Sequence, residues 1–447
     1  MLSLPRLGVP IKMVDTRPPP LARCPRCGAY ATRNQIRSRF YWEPHLLQAS
    51  VLEVRGGCYL CSSCPKGAQW FIVLPEDYKT EGQYSVVARS LIVDLVRRYK
   101  MSAEAAADLG REKLNLPKLD STTVLSWLQE AGAQVDRKAR LKEAAAVFSG
   151  QLSLDEVYDG GWYQLKATDP LNGIELSWRL ERGTPTANEV KEFLRELKEA
   201  GIEPELISTD GSELYPEVIA EIWPNAKHQR CVFHFIRQIN RDLGEAFRIL
   251  YRQVRKPPRR KRGPQRPMDK RKDEITRRNR QKVRDARWLV FKRDDKLTDR
   301  EGVALNEAIG QCPRLSVLRR FVLQVHELFG STTDSHQLAA KRRKAILEDS
   351  EFLRTASLAK SMRSLRNDRL FSRLTNYLDF ENADKTSNHP EREIREFRKR
   401  QKSHYRMRSE QSLRALLELL TVRKPLPALP TKLKRKTDER KEKMQAA

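Results

Sequence analysis

The chain has 447 residues, enough for two or three domains, and carries 86 Lys and Arg against 58 Asp and Glu, a formal net charge of +28. So large a basic excess calls for an anionic partner, most simply nucleic acid, while 39% hydrophobic residues exclude a chain disordered throughout. No apolar run reaches membrane-spanning length and no secretory leader is legible, so we expect no membrane partner and a cytoplasmic protein.

Residues 1–22 are rich in proline and read as an irregular arm. Five of the seven cysteines follow in two groups, Cys24 with Cys27, then Cys58, Cys61 and Cys64. Without a secretory leader, Cys-x-x-Cys spacing suggests metal rather than disulfides. Two such knuckles supply four thiolates to a tetrahedral Zn2+, which sets a zinc-ribbon domain over 23–80. Five cysteines compete for four places. Cys61 with Cys64 is preferred as the second pair, because a ribbon strand through Trp70, Phe71 and Val73 follows directly; Cys58 with Cys61 is the other register. A strand over 47–54 helps fill the gap between the knuckles. The plainer reading is a set of buried free thiols.

An amphipathic helix is expected over 85–99, then a helix capped by Ser102 and another over 122–131 capped by Asp120 or Ser121. Two short helices joined by a turn read as a helix-turn-helix within 84–140, its second helix presenting Thr122, Thr123, Ser126 and Gln129 to DNA. An ordinary helical hairpin has the same pattern.

Next comes a run of strands. Alternation through Leu152, Leu154 and Val157 predicts a half-buried strand, with Asp155 in its middle beside Glu156. Aspartate packs poorly in strands, so its position is a signal. A turn at Asp159-Gly160-Gly161 leads to strands over 162–168 and 174–180. A helix is expected over 186–200, a short strand over 205–208 ending at Thr209-Asp210-Gly211, and another over 226–232. Three antiparallel strands, a helix and a strand match the first half of an RNase H-like sheet, here placed at 147–236. Cys231 and His234 form Cys-x-x-His at its end; with no second ligand pair nearby, His234 reads as a core or hydrogen-bonding residue.

Residues 237–385 are basic, then helical. Prolines and like charges make the first half of 252–284 poor at folding alone, and the stretch reads as part linker, part phosphate-tracking segment. Leu315, Leu318, Phe321, Val322, Val325 and Leu328 mark helical periodicity in a block inserted into the catalytic fold. In 386–422, Asn388 can cap a helix with Glu391 in its first turn and Arg395, Arg398, Lys399 and Lys402 on later turns, ahead of a last amphipathic helix over 409–420. Residues 423–447 read as a disordered basic tail.

Phosphodiester chemistry needs an activated water or hydroxyl and charge relief at the leaving oxygen, which two hard cations held by carboxylates provide. Asp155 in mid-strand, Asp210 at a neighbouring strand end and a glutamate from a later helix would serve. Each has a bland alternative: an exposed strand carboxylate, a turn-capping Asp-Gly, and a capping-box glutamate.

LSLDEVY (152–158), the segment 207–243 from ISTDG to QINRDL, and TSNHPEREIREF (386–397) resemble the DDE transposases of bacterial insertion sequences, most closely the Mutator-like kind. The resemblance runs from Cys24 to Leu420, and the order of motifs is more specific than any one of them. It implies a multidomain α+β/α/β chain: an RNase H-like catalytic core interrupted by an all-helical insertion, preceded by a zinc ribbon and a helix-turn-helix. It implies that Asp155, Asp210 and Glu391 hold two Mg2+ or Mn2+ ions, that Cys231, His234 and Asn388 support the site, and that structural Zn2+ sits in the ribbon. Double-stranded DNA would be the partner, as element terminal repeats and target, bound through Thr122, Thr123, Ser126, Arg395, Arg398 and Lys399, on the nucleoid and by a homo-oligomer. The reaction would be metal-dependent cleavage and strand transfer. The alternatives are a DNA-binding regulator or domesticated relative, and a structure-specific nuclease. Ser387 stands where the family commonly has a second Asn, and 252–284 has no counterpart in its pattern. Glu393 and Glu396 lie close to Glu391, but on a helix Glu391 and Glu393 point about 200° apart, so only one can face a fixed metal pair.

Overall fold

The computed structural model describes residues 11–14, 17–46, 50–65, 67–75, 78, 82–159, 161–256, 266–386, 388–403, 407 and 409–436, without the side chains of Asp159, Asn388 and 400–403. The chain forms two compact units, Met1–Arg140 with Ile394–Pro425, and Leu141–Glu393 with Leu426–Ala447.

The first unit opens with strands β1 (Ile11–Val14), β2 (Leu21–Arg23), β3 (Tyr30–Glu43), β4 (Ser50–Cys61) and β5 (Gln69–Val73). β3 and β4 form a long antiparallel pair, and β2 extends it beyond β3. β1 and β5 share the other side of β4, β1 parallel against Val51–Val54 and β5 antiparallel against Gly57–Cys61. Residues 1–22 are therefore not irregular throughout: two of the five strands come from them, because unpaired edges of long strands accept short partners. Tyr41, Val51, Val54 and Tyr59 are buried beneath the sheet, and Tyr59 stacks on Phe71 with centroids 5.3 Å apart.

Three helices follow, α1 (Val86–Arg97), α2 (Ala103–Lys113) and α3 (Ser121–Ala133). Each begins at a side chain that takes an otherwise unpaired backbone N–H: Ser85 from Ala88, Ser102 from Ala105 and Asp120 from Thr123. Leu114, Leu116 and Leu119 are buried in the turn between α2 and α3, which fixes that turn from within. α4 (Arg137–Ala146) crosses the boundary between the units.

The second unit is built on strands β6 (Gln151–Asp159), β7 (Trp162–Asp169), β8 (Ile174–Arg182), β9 (Leu206–Thr209) and β10 (Lys227–Arg230), in the order β10-β9-β6-β7-β8. β6, β7 and β8 are antiparallel, while β9 and β10 run parallel to β6. Helices α5 (Ala187–Glu199) and α6 (Tyr215–Ile222) separate β8, β9 and β10. α5 starts at a full capping box of Thr186 and Glu189. Its apolar stripe of Val190, Phe193, Leu194 and Leu197 is buried with Leu152, Leu154, Leu165 and Ile207 of the sheet. Period-two alternation then turns Gln151, Ser153 and Asp155 to the opposite face.

α7 (Val232–Gln253) starts directly after β10, so the expected strand over 226–232 ends sooner, and the expected insertion boundary at residue 237 falls inside a continuous helix. α8 (Pro267–Asp285), α9 (Asp299–Gln311), α10 (Arg314–Leu328), α11 (His336–Glu348), α12 (Ser350–Arg354), α13 (Ala359–Arg366) and α14 (Asp368–Thr375) form a helical block whose core joins Phe235, Leu243 and Phe247 of α7 to Leu315, Phe321 and Val325 of α10. Part of the basic stretch, from Pro267 onward, is thus helical; 257–265 lie outside the described residues.

α15 (Asn388–Ser403) begins in the second unit, but from Ile394 the chain belongs to the first. There α16 (Glu410–Thr421) packs on α3 so closely that a methyl on Gly132 would sit 2.6 Å from Ala415 Cα. The expected core segment 386–422 is therefore split, because the buried face of α16 is complementary to α3. The tail also departs from expectation. Leu433 is buried, its N–H donates to Ser149 O at 2.8 Å, and Arg435 Nε lies 2.5 Å from Glu205 Oε2. Within the second unit these contacts hold residues 426–436 in place; 437–447 lie outside the described residues. Among the described residues no helix is long and apolar enough to cross a membrane.

Candidate active site

Asp155 sits in the middle of β6, the central strand, on the face opposite the α5 core, and is only 6% exposed. Asp210 follows the last residue of β9, next to β6, and its carboxylate accepts from the Ser212 N–H at 2.9 Å. Glu391 lies in the first turn of α15. These three, separated by 55 and 181 residues in the chain, act on one another. Burial pushes the Asp155 carboxyl up to about 7; the charge of Asp210 adds to this and that of Glu391 adds less.

Backbone and side-chain hydrogen bonds fix this convergence. Gln151, on β6, clamps the segment ahead of α15: its amide donates to Asp384 O at 2.6 Å and accepts from Asp384 N at 2.9 Å. Asp384 in turn accepts from the N–H and hydroxyl of Thr386 at 2.9 and 2.7 Å. Cys231 N donates to Thr209 O at 2.8 Å, and Val232 N to Lys385 O at 3.1 Å. The strand of Asp155, the strand end before Asp210, the start of α7 and the approach to Glu391 are thereby tied together. His389 is buried close to Gly173 in the β7–β8 turn. The side chain of Asn388, and Ser387 entirely, lie outside the described residues.

Cys231 caps no backbone group with its side chain; it is buried and hydrogen-bonded to His234 in the first turn of α7. The sulfur contact, followed by the charges of Asp155 and Asp210, holds the His234 pKa above its ordinary value. Cys-x-x-His thus works as an internal pair that places an imidazole beside two carboxylates, whose charges favour its protonated form. Sequence reading passed over Glu156, which faces the other way on β6 and accepts from Tyr215 Oη at 2.7 Å. It also passed over Lys166, the cross-strand partner of Asp155, whose ammonium lies 2.9 Å from Glu175 with both side chains buried. A Lys in a run of buried strand residues was the available signal.

In the first unit, the sulfurs of Cys24, Cys27, Cys61 and Cys64 all lie within 4.8 Å of one another, with separations of 3.5 to 3.8 Å for Cys27–Cys61, Cys24–Cys64, Cys27–Cys64 and Cys61–Cys64. A tetrahedron with Zn–S bonds of about 2.3 Å has edges of about 3.8 Å, whereas a disulfide needs about 2.05 Å. The four thiols therefore fit a tetrahedral cation. Backbone amides of Cys27 and Arg26 hold the Cys24 thiol down to about 6, while burial and the neighbouring thiols push Cys64 up to about 12. Gly28 and Gly67, both at positive φ, close the two knuckles with bonds to Cys24 O and Cys64 O. Cys58 is buried on β4 outside this group, which removes the alternative register.

The carboxylates are spaced more widely: among the described residues the cysteine set alone has its ligand atoms within 4.8 Å. Two ions about 3.5–4 Å apart spread their ligands further than one ion does. A carboxylate whose ionisation is opposed by burial and then by neighbouring carboxylates is the condition a cation relieves, so the donor set fits a pair of hard divalent ions.

Thr122 and Ser126 are exposed on α3 and Thr123 is half-buried. Gln129 is not available to DNA, since its amide donates to Ser412 Oγ at 2.9 Å. On α15, Arg395 and Lys399 are exposed and Arg398 is half-buried, with Lys399 Nζ 3.6 Å from Glu396.

Residues 180–388 match the model of the DDE_Tnp_ISL3 family, described as a transposase. The match supports a DDE transposase of an insertion sequence and contains Asp210, Cys231 and His234; Asp155 and Glu391 lie outside it. No curated protein matches the chain.

Proposed function

We propose that the chain is an insertion-sequence transposase that binds the element's ends and catalyses metal-dependent cleavage and strand transfer. The observation carrying this reading is the approach of Asp155, Asp210 and Glu391 to one another at a five-stranded mixed sheet, in a chain whose residues 180–388 match a transposase family. Asp155, Asp210 and Glu391 would hold two Mg2+ or Mn2+ ions, which supply charge relief at the phosphoryl oxygens and an activated water or 3′ hydroxyl. β6 and the Gln151–Asp384 clamp hold the three carboxylates on a rigid frame. His234 lies beside Asp155 and Asp210, whose charges favour its protonated form, and in that form it would limit their repulsion before substrate arrives. Cys24, Cys27, Cys61 and Cys64 would hold a structural Zn2+, and α2 and α3 would act as a helix-turn-helix presenting Thr122, Thr123 and Ser126 to the terminal repeats. Joining two ends requires a dimer or a larger oligomer.

The test is a Mg2+- or Mn2+-dependent assay on duplexes taken from the DNA flanking the coding sequence, with wild type beside Asp155→Asn and Glu391→Gln. Cleavage and joining are expected from wild type alone, with rates lower by on the order of 10^2–10^3-fold in either variant and end binding nearly unchanged, as for loss of transition-state electrostatics. Tight binding without chemistry in all three would leave a DNA-binding regulator instead.

A further inference from the structure

Three arginines gather beside the Asp210 loop. β10 pairs with β9 so that Arg230 is the partner of Thr209, the residue before Asp210. The Arg230 side chain lies across Gly211, where a methyl would come 2.8 Å from its Cζ and 3.0 Å from Nη2. Gly211 sits at φ +108, a backbone conformation that favours glycine. α14 is docked on the same strand: Gln229 Nε2 donates to Leu374 O at 3.1 Å, Gln229 Oε1 accepts from Tyr377 N at 2.9 Å, and Asn376 Nδ2 donates to His228 O at 2.8 Å. Arg369 and Arg373 stand one turn apart on α14, so they share a face.

The three are close enough to repel. Burial, then Arg369, lower the Arg373 pKa, and Arg230 adds to this; Glu213 is the acidic group that opposes it. Arg373 and Arg230 also act with burial to depress His228. Among the described residues, none of the three arginines forms an ion pair, and Arg230 Nε is buried without a hydrogen-bond partner. Like charges at i and i+4 destabilise a helix, and a buried donor left unpaired costs roughly 1–3 kcal/mol. Among the described residues Glu213 offsets part of the repulsion and forms no ion pair with any of the three. A phosphate offsets the rest, because its oxygens accept from several guanidinium forks at once.

We propose that Arg230, Arg369 and Arg373 form a binding site for a backbone phosphate of the DNA strand that is cut, gripping it beside Asp210. The site rests on the transposase reading for its substrate and adds to it the contact that holds the strand in register with the carboxylates. Arg230, fixed over Gly211, positions the phosphate; Arg369 and Arg373 close on it from α14.

The test uses the full chain, wild type and Arg369→Gln/Arg373→Gln, with a fluorescein-labelled duplex from the flanking DNA. Anisotropy titrations at several salt concentrations give the slope of log K against log salt. The double variant should lose about 1 unit of slope, at about 0.9 per phosphate contact. Methylphosphonates walked along each strand neutralise one phosphate at a time. Wild type should lose about tenfold affinity at one or two positions, a typical scale for one charge-assisted contact, and the double variant should lose nothing further at those positions. Superimposable slopes and walk profiles overturn the site. Arg369→Gln alone, exposed on α14, replaces the double variant if that fails to fold. If wild type shows the profile but cuts no DNA, the transposase reading falls and the phosphate site stands; cutting with an unchanged profile gives the reverse. A chain that binds no DNA sinks both.

Discussion

Asp155 is the residue whose chemistry and stability pull in opposite directions. Its carboxyl titrates at about 7 in the fold against 3.8 in the open chain, so between those values the folded protein binds the extra proton. The stability this group contributes is greatest at low pH and is lost as pH rises through 7. Above pH 7 in metal-free buffer, Asp155→Asn should therefore be more stable than wild type, by on the order of 1–4 kcal/mol. Thermal melts at pH 8 check this, and Mn2+ should raise the Tm of wild type while leaving the variant unmoved. Equal melts at pH 8 without metal would mean that the buried charge is not the cause. The cysteines admit a similar comparison. Wild type should hold one zinc per chain by elemental analysis; Cys61→Ser should lose it, while Cys58→Ser should retain it. Asp155 was legible because a carboxylate in the middle of an apolar alternation is costly. Arg230 was not, because its meaning depends on Gly211 and on α14, more than a hundred residues further along.

At the scale of elements, local chemistry was readable where caps and periodicity agree. Thr186 with Glu189 begins α5, Ser102 begins α2, and the alternation of β6 sets which face Asp155 occupies. β10 shows what such patterns miss: Cys231 lies at a helix start rather than inside a strand, because β10 ends at Arg230. On β10, His228 Nε2 lies 2.9 Å from Thr209 Oγ1, and burial, aided by Arg373 and Arg230, lowers its pKa from 6.5 to about 4. The unfolded chain takes up that proton first, so stability should fall as pH drops from 6.5 towards 4. His228→Gln should flatten this part of the pH–stability curve; an unchanged curve would place the acid sensitivity elsewhere. The contact of α3 with α16 gives a second check. Gly132→Ala introduces a methyl against Ala415 backbone and should cost about 1–3 kcal/mol by denaturant titration.

For the whole molecule, a net charge of +28 sets the partner class and its salt dependence. Binding to flanking DNA should weaken at least about 10^3-fold between 50 and 200 mM salt, as expected once about six phosphates are neutralised. A shallow dependence would show that most of the basic residues face solvent rather than DNA.

The amino-acid sequence alone pointed to an anionic partner, the paired cysteine knuckles, the strand–helix order from Gln151 to Thr209 and the acidic residues at a strand middle and a strand end, but not to α6 between the last two strands. These follow from composition, short spacing and periodicity, which act within a few residues. Tertiary structure decided what depends on surfaces meeting across long separations. It excluded Cys58 from the thiol cluster, returned Ile394–Pro425 to the first unit, ordered residues 426–436 within the second and brought Arg230 to Arg369 and Arg373. The physical reason is that a helix stripe or an unpaired strand edge states that it needs a partner, while the shape and charge of the folded surface choose which one.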